Sequence, residues 1–240
     1  MRRAMQPAPV DRRAFGSGRR SRQQACSRSR AVVRSGMRRR AIMVDVDGVL
    51  VTHPDAAGWS AGLEKDIGLS AADLRRVFFE RHWADVVHGR AALRARLALA
   101  LAELSSPVTC DQLIAYWFAN DAHLDSRLLD ELSGLRSEGM EVHLATVQEH
   151  ERASHLWERL DLRSKFDGMH YAAALGSSKP AKAFYRAVEA ATGLTPDAIF
   201  FIDDKIANVT GAQACGWTAA LWTGRETLRN LMAQQHWDGL

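Results

Sequence analysis

Hydrophobic positions along this chain change period twice. Ala41-Ile42-Met43-Val44 is an unbroken, partly β-branched run, followed by Val46, Val49, Leu50 and Val51 around Asp45, Asp47 and Gly48. Such a run predicts a buried parallel strand over 41–47. From about 57 to 137 the spacing turns helical. Ser70 is a candidate N-cap for a helix over 71–83, with Leu74, Val77, Phe78 and Trp83 on one side. His88-Gly89-Arg90 marks a turn before a helix over 91–104, and Ser105-Ser106-Pro107 breaks it. Thr109 caps a further helix through Ala119, and Asp125 caps another that runs to about Arg136.

Beyond Gly139 short apolar runs alternate with helical ones. Strands are predicted at 142–146, 169–172, 198–202 and 218–222, and helices at 149–160, 180–192, 207–215 and 226–235. Strands alternating with helices imply βαβ units, so the expected fold class is α/β, a doubly wound parallel sheet. The helical stretch after the first strand is too long for a loop. It is expected to form a helical cap over 54–137, inserted into a core made of 41–53 and 138–240.

Charge divides the chain differently. Residues 1–40 hold 13 arginines and one acid, Asp11, which gives that segment +12. The whole 240-residue chain carries only +4, so the remainder carries −8. An acidic body does not favour nucleic-acid binding, which is left to the basic segment alone. That segment is rich in Arg, Ser, Gly and Gln, with too little apolar surface to fold by itself. An organelle transit peptide or a basic arm are two readings of it. The plainer expectation is an upstream start codon, with Met37 or Met43 as the true start. Three scattered cysteines (Cys26, Cys110 and Cys215) without metal-ligand spacing point to a reducing cytoplasm. No apolar run approaches the roughly 18 residues of a membrane span. Oligomeric state is not legible.

The candidate chemistry sits at strand ends, where open parallel sheets gather their active sites. Asp45 and Asp47 close the first strand, and a strand's period of two would send both to one side. Gly48 permits the sharp turn that follows. Like charges so near one another need a cation or a shared proton. Thr146 ends the second strand, where its hydroxyl can donate to an anionic oxygen or cap the next helix. Lys179 precedes Pro180, a residue suited to a first helical turn, and a fixed ammonium there can neutralise a phosphoryl group. Phe200-Phe201-Ile202-Asp203-Asp204 ends in a second pair of carboxylates, with Asn208 one turn on. Hard oxygen donors with little His or Cys suit Mg²⁺.

Taken in order, D-x-D-G, Thr, Lys-Pro and Asp-Asp after successive strands resemble the haloacid dehalogenase (HAD) superfamily over about residues 41–222, and the inserted helices resemble its helical cap type. The resemblance implies a Mg²⁺-dependent phosphomonoester hydrolase acting on a small phosphorylated metabolite of sugar-phosphate kind. It implies Asp45 as nucleophile forming an aspartyl-phosphate, Asp47 as acid/base, and Thr146 and Lys179 as the phosphoryl-positioning pair. The implied metal ligands are Asp204, Asp203 directly or through water, Asp45 by side chain and Asp47 by backbone carbonyl. Dehalogenase members lack the second aspartate, so Asp47 favours phosphoryl chemistry. Val147 stands where asparagine is frequent. His88 and Arg90, in the cap turn, are candidates for contact with the leaving group. A phosphomutase using the same residues, or an inactive binding protein with a basic tail, are the alternatives.

Overall fold

The computed structural model describes residues 39–53 and 58–237. The expectations for residues 1–38 lie outside them. Five strands form one parallel sheet in the order β3-β2-β1-β4-β5: β1 Ala41–Val44, β2 Glu141–Thr146, β3 Gly168–Tyr171, β4 Ile199–Asp203 and β5 Thr218–Leu221. β1 lies between β2 and β4, with Ala41 level with Glu141 on one side and Ile199 on the other. The chain builds outward from β1 to β2 and β3, then crosses back to lay β4 on the other side of β1. The crevice at this reversal, beyond the carboxyl ends of β1, β2 and β4, is where such sheets bind ligands.

Alternate side chains of the central strands fill two cores. Ile42, Val44, Val142, Leu144, Phe200 and Ile202 face one, with Leu128, Leu132 and Leu135 of α6 (Ser126–Ser137) and Leu228 of α12 (Leu228–Gln234). Met43, Ala145, Ile199 and Phe201 face the other, with Phe184, Tyr185 and Val188 of α10 (Lys182–Thr192) and Val209 and Ala212 of α11 (Ile206–Gln213). A strand apolar on both faces must be covered on both, which is why these runs are continuous rather than alternating. Each fully buried Leu, Ile or Phe contributes roughly 1.5–3 kcal/mol.

Between β1 and β2 run α1 (Leu63–Ile67), α2 (Ala71–Leu74, continued by a π-helical stretch over Arg75–Phe79), α3 (Trp83–Val87), α4 (Leu93–Glu103) and α5 (Cys110–Asn120). They bury a third cluster, including Leu74, Phe78, Leu97, Leu113 and Trp117. The helix expected over 71–83 is thus interrupted, and α3 is a separate piece. Ser70 caps α2, and Thr109 and Gln112 form a reciprocal capping box on α5. The last helix assigned to the insert from sequence, α6, belongs elsewhere: its leucines lie in the sheet's core. The two linkers that join insert and core pair with each other. Val51 bridges Leu124 antiparallel, Thr52 N–H donates to His123 O at 3.0 Å, and Asp125 N–H donates to Leu50 O at 2.8 Å.

Arg39 and Arg40 are part of this fold. Arg39 grips Glu141 through two bonds of 2.6 and 2.8 Å, and the Arg40 guanidinium lies over the Trp237 ring. The boundary at residue 40 expected from charge therefore falls slightly late. Among the described residues no helix is long and apolar enough to cross a membrane, and Cys110 and Cys215 are free thiols.

His143 and His170 stack across β2 and β3, with His170 Nε2 3.4 Å from His143 Nδ1. Burial, and then the neighbouring His143, hold the His170 imidazole down at about 4, against an ordinary value of 6.5. The folded protein keeps this ring neutral while the unfolded chain protonates it. Stability is therefore lost as pH falls through the window from 6.5 towards 4 and stays level below it. Denaturant titrations at about pH 7 and about pH 5 should show wild type losing about 2 kcal/mol more than His170→Gln. Equal losses in the two proteins would exclude this origin.

Candidate active site

β1 ends one residue before Asp45, because the backbone turns at once. Val46 O accepts the N–H groups of Val49, Leu50 and Val51 at 3.3, 2.9 and 2.8 Å, and Gly48 N–H donates to Val51 O at 2.9 Å. Gly48 sits at φ +83° within this turn, and a Cβ there would lie 2.4 Å from Asp204 Oδ2. Glycine is thus required twice, for its backbone angle and for the approach of a carboxylate. The two aspartates expected to share a strand face stand within this turn, near enough that the charge of Asp47 bears on Asp45. Each has its own partners.

Asp45 is 4% exposed. Its Oδ1 accepts from Val46 N–H at 2.7 Å and from Lys179 Nζ at 2.8 Å. Lys179, its side chain fully buried, also bonds Asp203 Oδ2 at 2.6 Å. Asp203, at the end of β4, further accepts Lys205 N–H at 2.8 Å and Asn208 Nδ2 at 2.9 and 3.0 Å. These contacts explain an unequal pair. Burial pushes the Asp45 carboxyl up to about 7, Lys179 pulling against it and Asp203 adding to it. Burial pushes at Asp203 too, but the Lys179 ammonium and the other donors hold it below the ordinary carboxylate value. Pro180 does not open the helix expected over 180–192. The Lys179–Pro180 peptide is cis, and α10 begins only at Lys182.

Asp204 is half-buried, and burial raises its carboxyl, opposed first by Lys205. Its Oδ1 is buried without a hydrogen-bond partner. One carboxylate oxygen each from Asp45, Asp203 and Asp204 lies within 4.8 Å of the others. Three carboxylates against one lysine leave excess negative charge, and an all-oxygen donor set fits a hard divalent cation. Thr146, fully buried at the end of β2, has an Oγ1 with no partner. It does not cap the next helix. Glu149 caps α7 (His150–Ser154) by accepting the N–H groups of Glu151 and Arg152.

Asp47, two residues on, is held by other partners. Gln148 Nε2 donates to its Oδ2 at 2.7 Å, while Oδ1 is buried and unpartnered. Burial raises this carboxyl, nearby Asp121 raises it further, and Arg152 and Gln148 oppose. Behind it is a cluster that sequence reasoning missed. Arg152 is 1% exposed and bonds both the carboxylate of Asp121, at 2.9 Å, and its carbonyl. The Asp121 carboxylate is also held by His53 Nε2 at 2.6 Å and Trp117 Nε1 at 3.3 Å. A charged residue in a polar helix start reads as solvated, so nothing local marks Arg152. Gln148 carried a signal, two positions after Thr146.

The two insert candidates separate. His88 reaches the core: its Nε2 is 3.0 Å from Ser178 Oγ, beside Lys179, and its Nδ1 is 2.7 Å from Ala84 O. Gly89 packs against the core as well, where a Cβ would lie 2.6 Å from Ala173 O. Arg90 is instead bound within the insert, donating to Asp85 Oδ1 at 2.9 Å and Ala84 O at 3.1 Å. The expected contact of Arg90 with a leaving group is not what this guanidinium makes.

Solved structures share this architecture. A HAD family enzyme from Bacteroides thetaiotaomicron superposes with a TM-score of 0.70 at 18% identity, over 82% of this chain and 99% of that one. The same enzyme is known in complex with magnesium and inorganic phosphate. A predicted HAD-like family hydrolase from Porphyromonas gingivalis gives 0.69 at 20% identity, over 84% of this chain and 100% of that one. A dehalogenase gives 0.57 at 19% identity, over 79% and 88%. These likenesses establish the fold. The family model for haloacid dehalogenase-like hydrolases matches residues 39–216, most of the chain, including all four strand-end segments that carry the carboxylates, the threonine and the lysine. With sheet order, buried lysine and carboxylate cluster in agreement, this protein belongs to the haloacid dehalogenase-like hydrolases.

Proposed function

We propose that this hydrolase cleaves phosphomonoesters of small metabolites, of sugar-phosphate kind, with Mg²⁺ and through an aspartyl-phosphate on Asp45. The observation that carries this reading is Asp47. A second carboxyl, half-buried and raised in pKa, stands two residues from the nucleophile, and its Oδ1 is buried without a partner. Cleavage of a carbon–halogen bond needs no proton donor for its leaving halide. Departure of an alkoxide does.

The roles follow from the contacts. Asp45 Oδ1 is engaged by Val46 and Lys179, so Oδ2 is the oxygen available to attack phosphorus. Lys179 offsets charge on both Asp45 and the transferring phosphoryl group. Thr146 Oγ1 donates to a phosphoryl oxygen. Asp45 and Asp204 would hold Mg²⁺, with Asp203 behind them and the Asp47 carbonyl as a further oxygen; when bound, the ion supplies positive charge to the phosphoryl oxygens. Asp47 gives its proton to the departing alcohol, then takes one from the water that attacks the phosphoaspartate. His88, tied to Ser178, stands at the insert's contact with the Lys179 loop, and the helical insert over the site would exclude bulk water. The proposed setting is the cytoplasm, resting on cysteine usage alone.

Phosphate release from a panel of sugar phosphates and other small phosphomonoesters is the test, run with Mg²⁺ and with chelator. Release with Mg²⁺ and none with chelator is expected, and isomer formation without phosphate release would indicate a phosphomutase instead. Asp45→Asn should abolish turnover with unchanged thermal unfolding; retained turnover would remove Asp45 from the nucleophile's place. Gly48→Ala should fold but lose most Mg²⁺-dependent activity, because its Cβ displaces Asp204. Undiminished activity in that variant would show that the position of Asp204 is not critical.

A further inference from the structure

Gln148 is the polar side chain that this chain places on the Asp47 carboxylate. It is 3% exposed, and its backbone is pinned, with Ala173 N–H donating to Gln148 O at 3.1 Å. The next residue, Glu149, caps α7 and fixes the chain on the other side. The side chain is thereby set to make its contact with the carboxylate, Nε2 to Asp47 Oδ2 at 2.7 Å. The Asp47 carboxylate itself stands on a tight turn rather than on a strand, so strand pairing on both sides does not fix its direction. Asp47 Oδ1 has no hydrogen-bond partner.

We infer that Gln148 is the positioning residue of the acid/base: by donating to Oδ2 it reserves Oδ1 as the oxygen that carries and delivers the proton. An amide N–H can only donate, so it occupies an Oδ2 lone pair and cannot accept the carboxyl's hydrogen. The hydrogen of the neutral acid is thereby assigned to Oδ1. When the ester bond breaks, that hydrogen passes from Oδ1 to the departing oxygen, and the carboxylate left behind keeps its bond from Gln148. The same Oδ1 then takes a proton from the attacking water. Gln148 touches neither phosphorus nor leaving group in this scheme. It acts through Asp47, and the inference rests on the phosphomonoester reading for its chemistry.

The discriminating measurement compares two leaving groups. A sugar or glycerol phosphate must release an alkoxide and depends on proton delivery. p-Nitrophenyl phosphate releases a phenolate that is stable near neutrality and does not. Gln148→Met keeps the side chain's length and removes the donor. Its kcat on the alkyl phosphate should fall roughly 10- to 100-fold, a share of what a general acid supplies, with KM little changed and with a fall under about 3-fold on p-nitrophenyl phosphate. Equal falls on both substrates, or none on the alkyl phosphate, overturn the inference. Should Gln148→Met not fold, Gln148→Glu reads the same comparison, since it keeps the shape and replaces the donor by an acceptor. A crystal structure of the variant decides the point without any turnover. Asp47 should occupy more than one rotamer there, and an Asp47 fixed in its wild-type position overturns the positioning role. Wild type inactive on every phosphomonoester would sink the proposed reaction instead, a result distinct from either of these.

Discussion

The bond that the site depends on is the one from Lys179 to two carboxylates at once. Asp45 and Asp203 come from neighbouring strands and are both buried, and their ionised forms would repel by about 4 kcal/mol at 4 Å separation and an effective dielectric of 20. Lys179 Nζ lies within 2.8 Å of one and 2.6 Å of the other, with its side chain wholly out of water. One ammonium cannot satisfy both equally. Asp203 also receives Lys205 N–H and Asn208 and stays ionised, whereas Asp45 is left near 7. Asn208 fits this balance, since a carboxylate in its place, in contact with Asp203, would add negative charge that Lys179 could not offset.

That electrostatic knot is assembled by topology. Strand order reverses at β1, so the ends of β1, β2 and β4 open into one crevice, and α11 starts directly from the Asp203-Asp204 corner. Gly48 then lets the turn after β1 close upon Asp204 without a side chain between them. Asp47 belongs to a different set of contacts, through Gln148 beside α7 and near Asp121 and Arg152 at the root of the insert. Asp45 and Asp47 are two residues apart in sequence yet have different partners, Lys179 for the first and Gln148 at the junction of core and insert for the second.

The junction is itself well tied. The outgoing linker at Val51–His53 and the returning one at Asp121–Asp125 are paired through backbone bonds, and Arg152 from the core locks onto Asp121. Further out, His88 reaches the loop at Ser178 and Gly89 rests on the short helix over Ala172–Leu175. The insert thus meets the core at both its root and its tip, with its own hydrophobic cluster in between.

Sequence alone determined the parallel α/β core, because strands buried on both faces write continuous apolar runs, and the carboxylates, threonine and lysine fall at the ends of those runs. It also located the helix caps at Ser70 and Thr109 in the insert and at Asp125 before α6, which are local hydrogen-bond preferences. Most of what it missed was non-local. Locally, the segment over 71–83, whose apolar spacing reads as one helix, ends its helical run at Phe79, and Trp83 starts another helix. The affiliation of α6 with the sheet depended on what its leucines meet. The buried Arg152–Asp121 pair and the bond from Gln148 to Asp47 join residues 31 and 101 positions apart. No periodicity encodes such pairs. Burial and charge compensation exist only once the strands are side by side, and those two effects decided which of the polar residues became a site.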